Sequence, residues 1–290
     1  MKLGLLFLIL LHLAQPGVLR ALDKPGKVEQ LRQLTRLVIE EDTTWSGEQL
    51  IEGIVVVKKG ATLTIAPGTK VSFSRTDIDN DGIGEGELIV EGSLNAKGTK
   101  AEPILFTSAA VAPRKRDWKF IMINFSQGST LEYCIIEYAF SAVQVHFSSC
   151  TIKNCILRNN EDGLRFSTAR LELSHNEIYQ NIYGLRYEER GSKAEVSYNV
   201  IRQNDYGIFC VFKSENLTLF EHNNVYDNHK YNLLLGNQQQ ADLGLPHNYW
   251  GSKDPNQVME KIFAKNYEPF LGKVTILPLS QSPIPQAGLE

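Results

Sequence analysis

Four stretches decide the fold: NCILRNNEDGLRF (154–166), NEIYQNIYGLRY (176–187), NVIRQNDYGIFC (199–210) and NNVYDNHKYNLLL (223–235). Their leading asparagines, Asn154, Asn176, Asn199 and Asn223, are 22, 23 and 24 residues apart. A second asparagine follows five places later, at Asn159, Asn181, Asn204 and Asn228, and a small or turn-prone residue recurs at Gly163, Gly184, Gly207 and Asn232. Upstream, EYCIIEYAFSAVQV (132–145) fits the same frame with Ala142 in the glycine position. Each unit alternates aliphatic or aromatic residues over a few positions, as in Ile156, Leu164 and Phe166, and cannot bury its own apolar face. Such units must stack. Leucine-rich repeats have this length but need a dense leucine frame that is absent. Asparagine suits a tight turn between strands, where it tolerates left-handed backbone and its amide bonds to the copy above. The pattern therefore predicts a parallel β-helix with roughly one coil per 22 residues, coils spaced about 4.8 Å apart.

Outward from the repeats, 45–73 and 86–108 obey a looser version of the plan, with valine- or isoleucine-rich strands punctuated by Gly53, Gly60, Gly68, Gly86, Gly92 and Gly98. Roughly eight to ten coils are expected between Trp45 and about Phe270. Open ends need caps. Val28, Leu31, Leu34 and Val38 have helical spacing and suggest a cap helix within a 22–44 linker. At the other end, Asp254–Pro255 is a helix start for DPNQVMEKIFAK, with VTILPL (274–279) as a closing strand. The β-helix with its caps is assigned to 45–277, and 278–290 to a flexible tail.

The first 21 residues read as an export signal: Lys2, an apolar run from Leu3 to Leu13 too short to span a bilayer, and a cleavage point near Ala21. The mature chain is expected outside the cytoplasm: periplasm, cell surface or medium. A formal net charge of -3 gives no reason to expect nucleic acid as a partner. The four cysteines show no C-x-x-C spacing, which leaves redox chemistry, zinc ribbons and attached haem unsupported.

The repeats, the segment WSGEQLIEGIVVVKKGATLTIAPGTKVSF (45–73) and NYWGSKDP (248–255) together resemble exported bacterial right-handed parallel β-helix repeat proteins. That resemblance implies an all-β, right-handed single-stranded solenoid. The superfamily includes pectate lyases, alginate epimerases, phage tailspikes, adhesins and the periplasmic accessory protein for nitrous-oxide reductase, so the fold does not choose an activity. DYGIFC (205–210) has Phe209 where an epimerase-like motif needs aspartate, and LPHNYWG lacks an aspartate before its proline and histidine.

Aligning the coils exposes columns. Before the turn glycine stand Ser141, Asp162, Tyr183, Tyr206 and Tyr231; one strand further stand Gln144, Arg165, Arg186 and Phe209. Tyr183, Tyr206, Tyr231, Arg165 and Arg186 suit a polyanionic sugar, with aromatic faces on sugar rings and guanidinium groups forked onto carboxylates. RTDIDNDGIGEGELIVEG (75–92) opens like a calcium loop, but position 12 is Leu88 and both flanks are strands. Asp77, Asp79, Asp81, Glu85 and Glu87 are therefore candidate ligands of a structural calcium clip rather than of a sensor. Cys134 and Cys155 align on adjacent coils, are expected to face outward, and stand within disulfide range. Cys210 falls in the inward column of Phe166 and Tyr187. His175 and His222 lie two coils apart, too far to share a metal. RKRDW (114–118) reads as a solvated basic turn. The expected function is a non-catalytic exported scaffold binding polysaccharide or cell-envelope material. The alternatives are a lyase, epimerase or hydrolase of acidic glycans on the same face, and an accessory factor for another enzyme's maturation.

Overall fold

Short apolar strands punctuated by turn residues wind into coils in the computed structural model, which describes residues 34–290. Every named strand pairs in parallel with its equivalent one coil away. Three sheets form the coil walls, one of ten strands, from Arg36–Ile39 to Ile262–Phe263, and two of eight strands each; Leu243–Gly244 and Val274–Thr275 make a separate two-stranded pair. Eight complete coils and two further strands of the long sheet match the expected coil number. The first coil begins at Arg36–Ile39, ahead of Trp45. Val38, expected in a cap helix, lies in that strand, because it pairs with Val56 of the next coil. Val28, Leu31 and the export leader lie outside the described residues.

The interior is made of columns. Val55, Leu88, Ile121, Val143, Leu164, Leu185, Ile208, Leu233 and Ile262 stand in register up the long sheet, each 4% exposed or less. Burying each such side chain contributes about 1.5–3 kcal/mol, and none is buried without the coil above and below. Phe166, Tyr187 and Cys210 share the neighbouring inward column, as the alignment predicts.

Two of the corners are closed by amide ladders. At the corner leading into the long sheet, Asn160, Asn181, Asn204, Asn228 and Asn232 pass side-chain hydrogen bonds of 3.0–3.2 Å up the stack. Between the two eight-stranded sheets, Asn176, Asn199, Asn223 and Asn248 do the same at 2.9–3.0 Å. The ladder amides also satisfy backbone carbonyls inside the turn, for instance Asn199 Nδ2 to Leu173 O at 2.8 Å. In coil five the rung is Asn160 rather than Asn159, which takes the left-handed position before it (φ 57°).

The second ladder corrects the cysteine expectation. Cys155 occupies the asparagine position, its N–H donating to Asn176 Oδ1 at 2.8 Å, and Cys134 sits one coil below, its N–H donating to Cys155 Sγ at 3.4 Å. Both face inward, 1% exposed or less, and all four cysteines are free thiols. Asn154 takes the left-handed place (φ 54°), so coil five is offset by one residue from the sequence alignment.

At the far end a five-residue helix, Pro255–Met259, starts on Asp254, whose carboxylate accepts the Asn256 N–H at 2.9 Å. It is shorter than the sequence suggests, and the closing strand is only Val274–Thr275. Residues 278–290, expected to be a flexible tail, run back along the corner between the two eight-stranded sheets. Ile284 and Asn224 exchange two hydrogen bonds, Gly288 N–H reaches Tyr198 O, and Glu290 meets Lys153 at 2.8 Å. In the turn 114–118, Arg114 and Arg116 are exposed, as expected, and the turn is also pinned. Arg116 pairs with Glu161, Lys115 bonds the carbonyl of Gln180, and the fully buried Asp117 carboxylate holds Ser108 Oγ at 2.7 Å and Arg75 at 3.1 Å.

Candidate ligand-binding face

The outer face of the ten-stranded sheet carries the predicted columns in register. Asp162, Tyr183, Tyr206 and Tyr231 follow one another, as do Gln144, Arg165, Arg186 and Phe209. Glycine follows the first column for a reason sequence did not reveal. A Cβ on Gly184 would lie 2.6 Å from the Gly207 carbonyl oxygen, so the backbones approach too closely for any side chain. The glycines set the coil packing and not a left-handed turn.

Tyr183 and Tyr206 stack at 5.1 Å between centroids, and Tyr183 stacks on Phe209 at the same distance. Tyr206 and Tyr231 are 6.5 Å apart, and Tyr231 is drawn into the C-terminal cap by Phe263 and Tyr267. The Arg186 guanidinium carbon lies 5.6 Å from the Tyr183 ring centre and 5.5 Å from that of Phe209. Lys230 Nζ sits 4.8 Å from the Tyr206 ring. The stacking changes what the tyrosines offer. Their faces are occupied by one another, so a ligand would meet ring edges and hydroxyl groups beside a row of cations.

Beneath the cations lies a carboxylate the sequence reading had not singled out. Asp162 is fully buried, and neither of its oxygens has a hydrogen-bond partner; the nearest guanidinium nitrogen, of Arg186, is 3.8 Å away. Ser141 Oγ and Arg186 Nε are likewise buried without partners. Burial pushes the Asp162 carboxyl up to about 6, against the pull of Arg186 and Arg165. Further along the same face, in register with Ser167, His146 shares a hydrogen bond with Gln144 at 3.2 Å, and burial with the nearby Arg165 holds its imidazole down to about 4. Arg165 is itself lowered by burial and by Arg186. A buried, charge-dense and incompletely hydrogen-bonded cluster is where ligand or proton chemistry concentrates. Its sequence signal was weak, because Asp162 stands where later coils carry tyrosine.

Of the calcium candidates, the fold brings three together: one oxygen each from Asp77, Asp79 and Glu85 lies within 4.8 Å of the others. Asp81 instead accepts the Ile83 N–H at 2.8 Å, and burial, with Asp79 and Asp77 beside it, holds its carboxyl above the ordinary range. Glu87 begins the next strand of the long sheet, in register with Ile54 and Phe120. Lys119 already pairs with Glu85 and competes with any added cation. Along the far corner His175, Tyr198, His222 and His247 form a stacked column in which an aromatic ring separates the two histidines noted in sequence.

Parallel sheets wound coil upon coil around one apolar interior define a parallel β-helix protein. Residues 114–244 match the family model described as a right handed beta helix region, and residues 37–130 match that of a pectate-lyase like beta helix domain. No curated protein and no solved structure matches the chain. The fold and both matches agree on a right-handed parallel β-helix. Among the described residues no helix is long and apolar enough to cross a membrane.

Proposed function

We propose that the chain is an exported, non-catalytic scaffold that binds a carboxylate-bearing glycan along the outer face of its ten-stranded sheet. One observation carries the reading: Arg165 and Arg186 stand in direct register, with Arg186 flanked by two aromatic rings and its Nε unpartnered. Like charges on adjacent strands destabilise a sheet, and a polyanion relieves that repulsion. Guanidinium groups fork onto carboxylates, and the tyrosine edges supply polar contacts to sugar hydroxyls. Replacing Arg165 and Arg186 together by alanine is expected to abolish retention on an acidic-polysaccharide gel while leaving the circular dichroism spectrum unchanged. Unchanged retention would remove the proposal.

Asp162 favours a second reading, an acidic-glycan lyase, epimerase or hydrolase. A carboxyl titrating near 6 beside two arginines combines a proton acceptor with a charge sink. Its complete burial argues for the scaffold, because a catalytic base must reach its substrate. Incubating the protein with acidic glycans and separating the products decides between them: cleavage or epimerisation that Asp162→Asn eliminates selects the enzyme. For the acidic loop we propose a structural calcium held by Asp77, Asp79 and Glu85, which would stabilise the exit from one coil and entry to the next.

A further inference from the structure

A separate feature lies around the corner, where the long sheet passes into its eight-stranded neighbour. Phe125 and Phe147, 51% and 48% exposed, stack there at 5.2 Å with their planes 10° apart. Both occupy the left-handed turn position, φ 58° and 50°, and the next residue up that column is Thr168, φ 52°. Flanking registers place Thr168 directly over Phe147: His146 pairs with Ser167 and Ser149 with Arg170. The aromatic stack thus stops at a small side chain, and one coil further the turn contains Gly191. The space left above Phe147 is a cleft of about 330 Å³ lined by Phe147, Ser149, Thr168, Arg170, Gly191 and Lys193.

Arg170 and Lys193 are in direct register on adjacent coils, both exposed. Neither forms an ion pair with any described residue, although Glu172 and Glu195 make an equivalent row two positions along. Two unpaired cations side by side at the mouth of a cleft floored by an open aromatic face match a flat ring bearing an anionic group. We propose that this corner is a saccharide subsite, in which a sugar ring continues the Phe125–Phe147 stack over Thr168 and its carboxylate or sulfate group is held by Arg170 and Lys193. The acidic row beyond suits sugar hydroxyls, which donate hydrogen bonds. The subsite stands apart from the sheet face and does not depend on the Arg165–Arg186 reading.

The test is calorimetric titration of the full chain with an oligogalacturonate, a sulfated oligosaccharide, a neutral cello-oligosaccharide and a single-stranded oligonucleotide. Phe147→Ala and the pair Arg170→Ala with Lys193→Ala are each expected to weaken binding of the carboxylated or sulfated probe roughly tenfold. Thr168→Phe is the sharper variant. It keeps both cations, places a third phenylalanine where two already occupy the same backbone conformation, and should close the cleft with a similar loss. Binding unchanged in all three variants, or an oligonucleotide preferred over every sugar, overturns the proposal. Loss confined to the Arg165→Ala, Arg186→Ala protein overturns the corner subsite and leaves the sheet-face reading standing. Loss confined to the corner variants does the reverse.

Discussion

Asp162 and His146 sit a few residues apart on one face and respond to pH in opposite senses. The folded state raises the Asp162 carboxyl to about 6, so folding favours its protonated form. The associated stability is complete below the unfolded value near 4 and is lost as pH rises through about 6. His146 is held down to about 4, so its contribution is present above the unfolded value near 6.5 and is lost as pH falls toward 4. Asp162→Asn should therefore gain stability relative to the parent as pH rises from about 4 to about 6, and hold a constant difference above that. Urea unfolding at half-unit pH steps measures this, and a flat difference would show that the buried carboxyl is not titrating there. The cysteines give a second check at this scale. Burial raises the thiols of Cys134, Cys150 and Cys210 above their ordinary range, and all four cysteines are shut off from solvent. A thiol reagent is expected to label none of the four until the protein is unfolded. Sequence placed Cys134 and Cys155 on one column correctly but on the wrong side of the wall. A one-residue offset inverts facing, and only the ladder bond to Asn176 reveals the offset.

At the scale of ladders, turns and loops, close approach does the selecting. Gly184→Ala places a Cβ against the Gly207 carbonyl and the Asn204 amide, at 2.6 and 2.9 Å. The variant should lose about 1–3 kcal/mol in chemical denaturation, although alanine is the smallest addition available. Asn199→Ala removes a side chain that accepts from Asn176 and donates to Asn223 and Leu173 O, leaving buried partners unmatched. A loss of about 1–3 kcal/mol or more is expected by the same measurement. The acidic loop is tested by thermal melting: a chelator should lower the melting temperature of the parent, and Asp79→Ala should remove the difference. Sequence made the ladders legible because asparagine recurs at a fixed period. It did not show what pins 114–118, because the partners of those bases, Glu161 and Gln180, are on coils that lie far away along the chain.

Over the whole molecule the fold is nearly one-dimensional, each coil touching its neighbours, so stability varies along the axis. Leu37 and Val38 of the first strand are 48% and 39% exposed, whereas the middle coils are closed above and below. Hydrogen exchange should find the amides of Arg36–Ile39 least protected among the long-sheet strands and those of Asp162–Ser167 and Tyr183–Glu188 most protected; uniform protection would contradict a graded stack. The sequence by itself determined the coil, because a unit of 21 to 24 residues with alternating apolar side chains and a periodic turn amide has no way to bury its apolar face except against copies of itself. It also determined most of the columns, since register follows from period, but not the one-residue displacement of coil five at its two asparagine turns. Only the tertiary structure decided how those columns are used. It turned the tyrosine faces onto one another, sank Asp162 beneath two arginines, folded 278–290 back along a corner, and ended the Phe125–Phe147 stack at Thr168. Each depends on distances between coils and on which side of the wall a side chain falls, quantities that arise only when the coils pack.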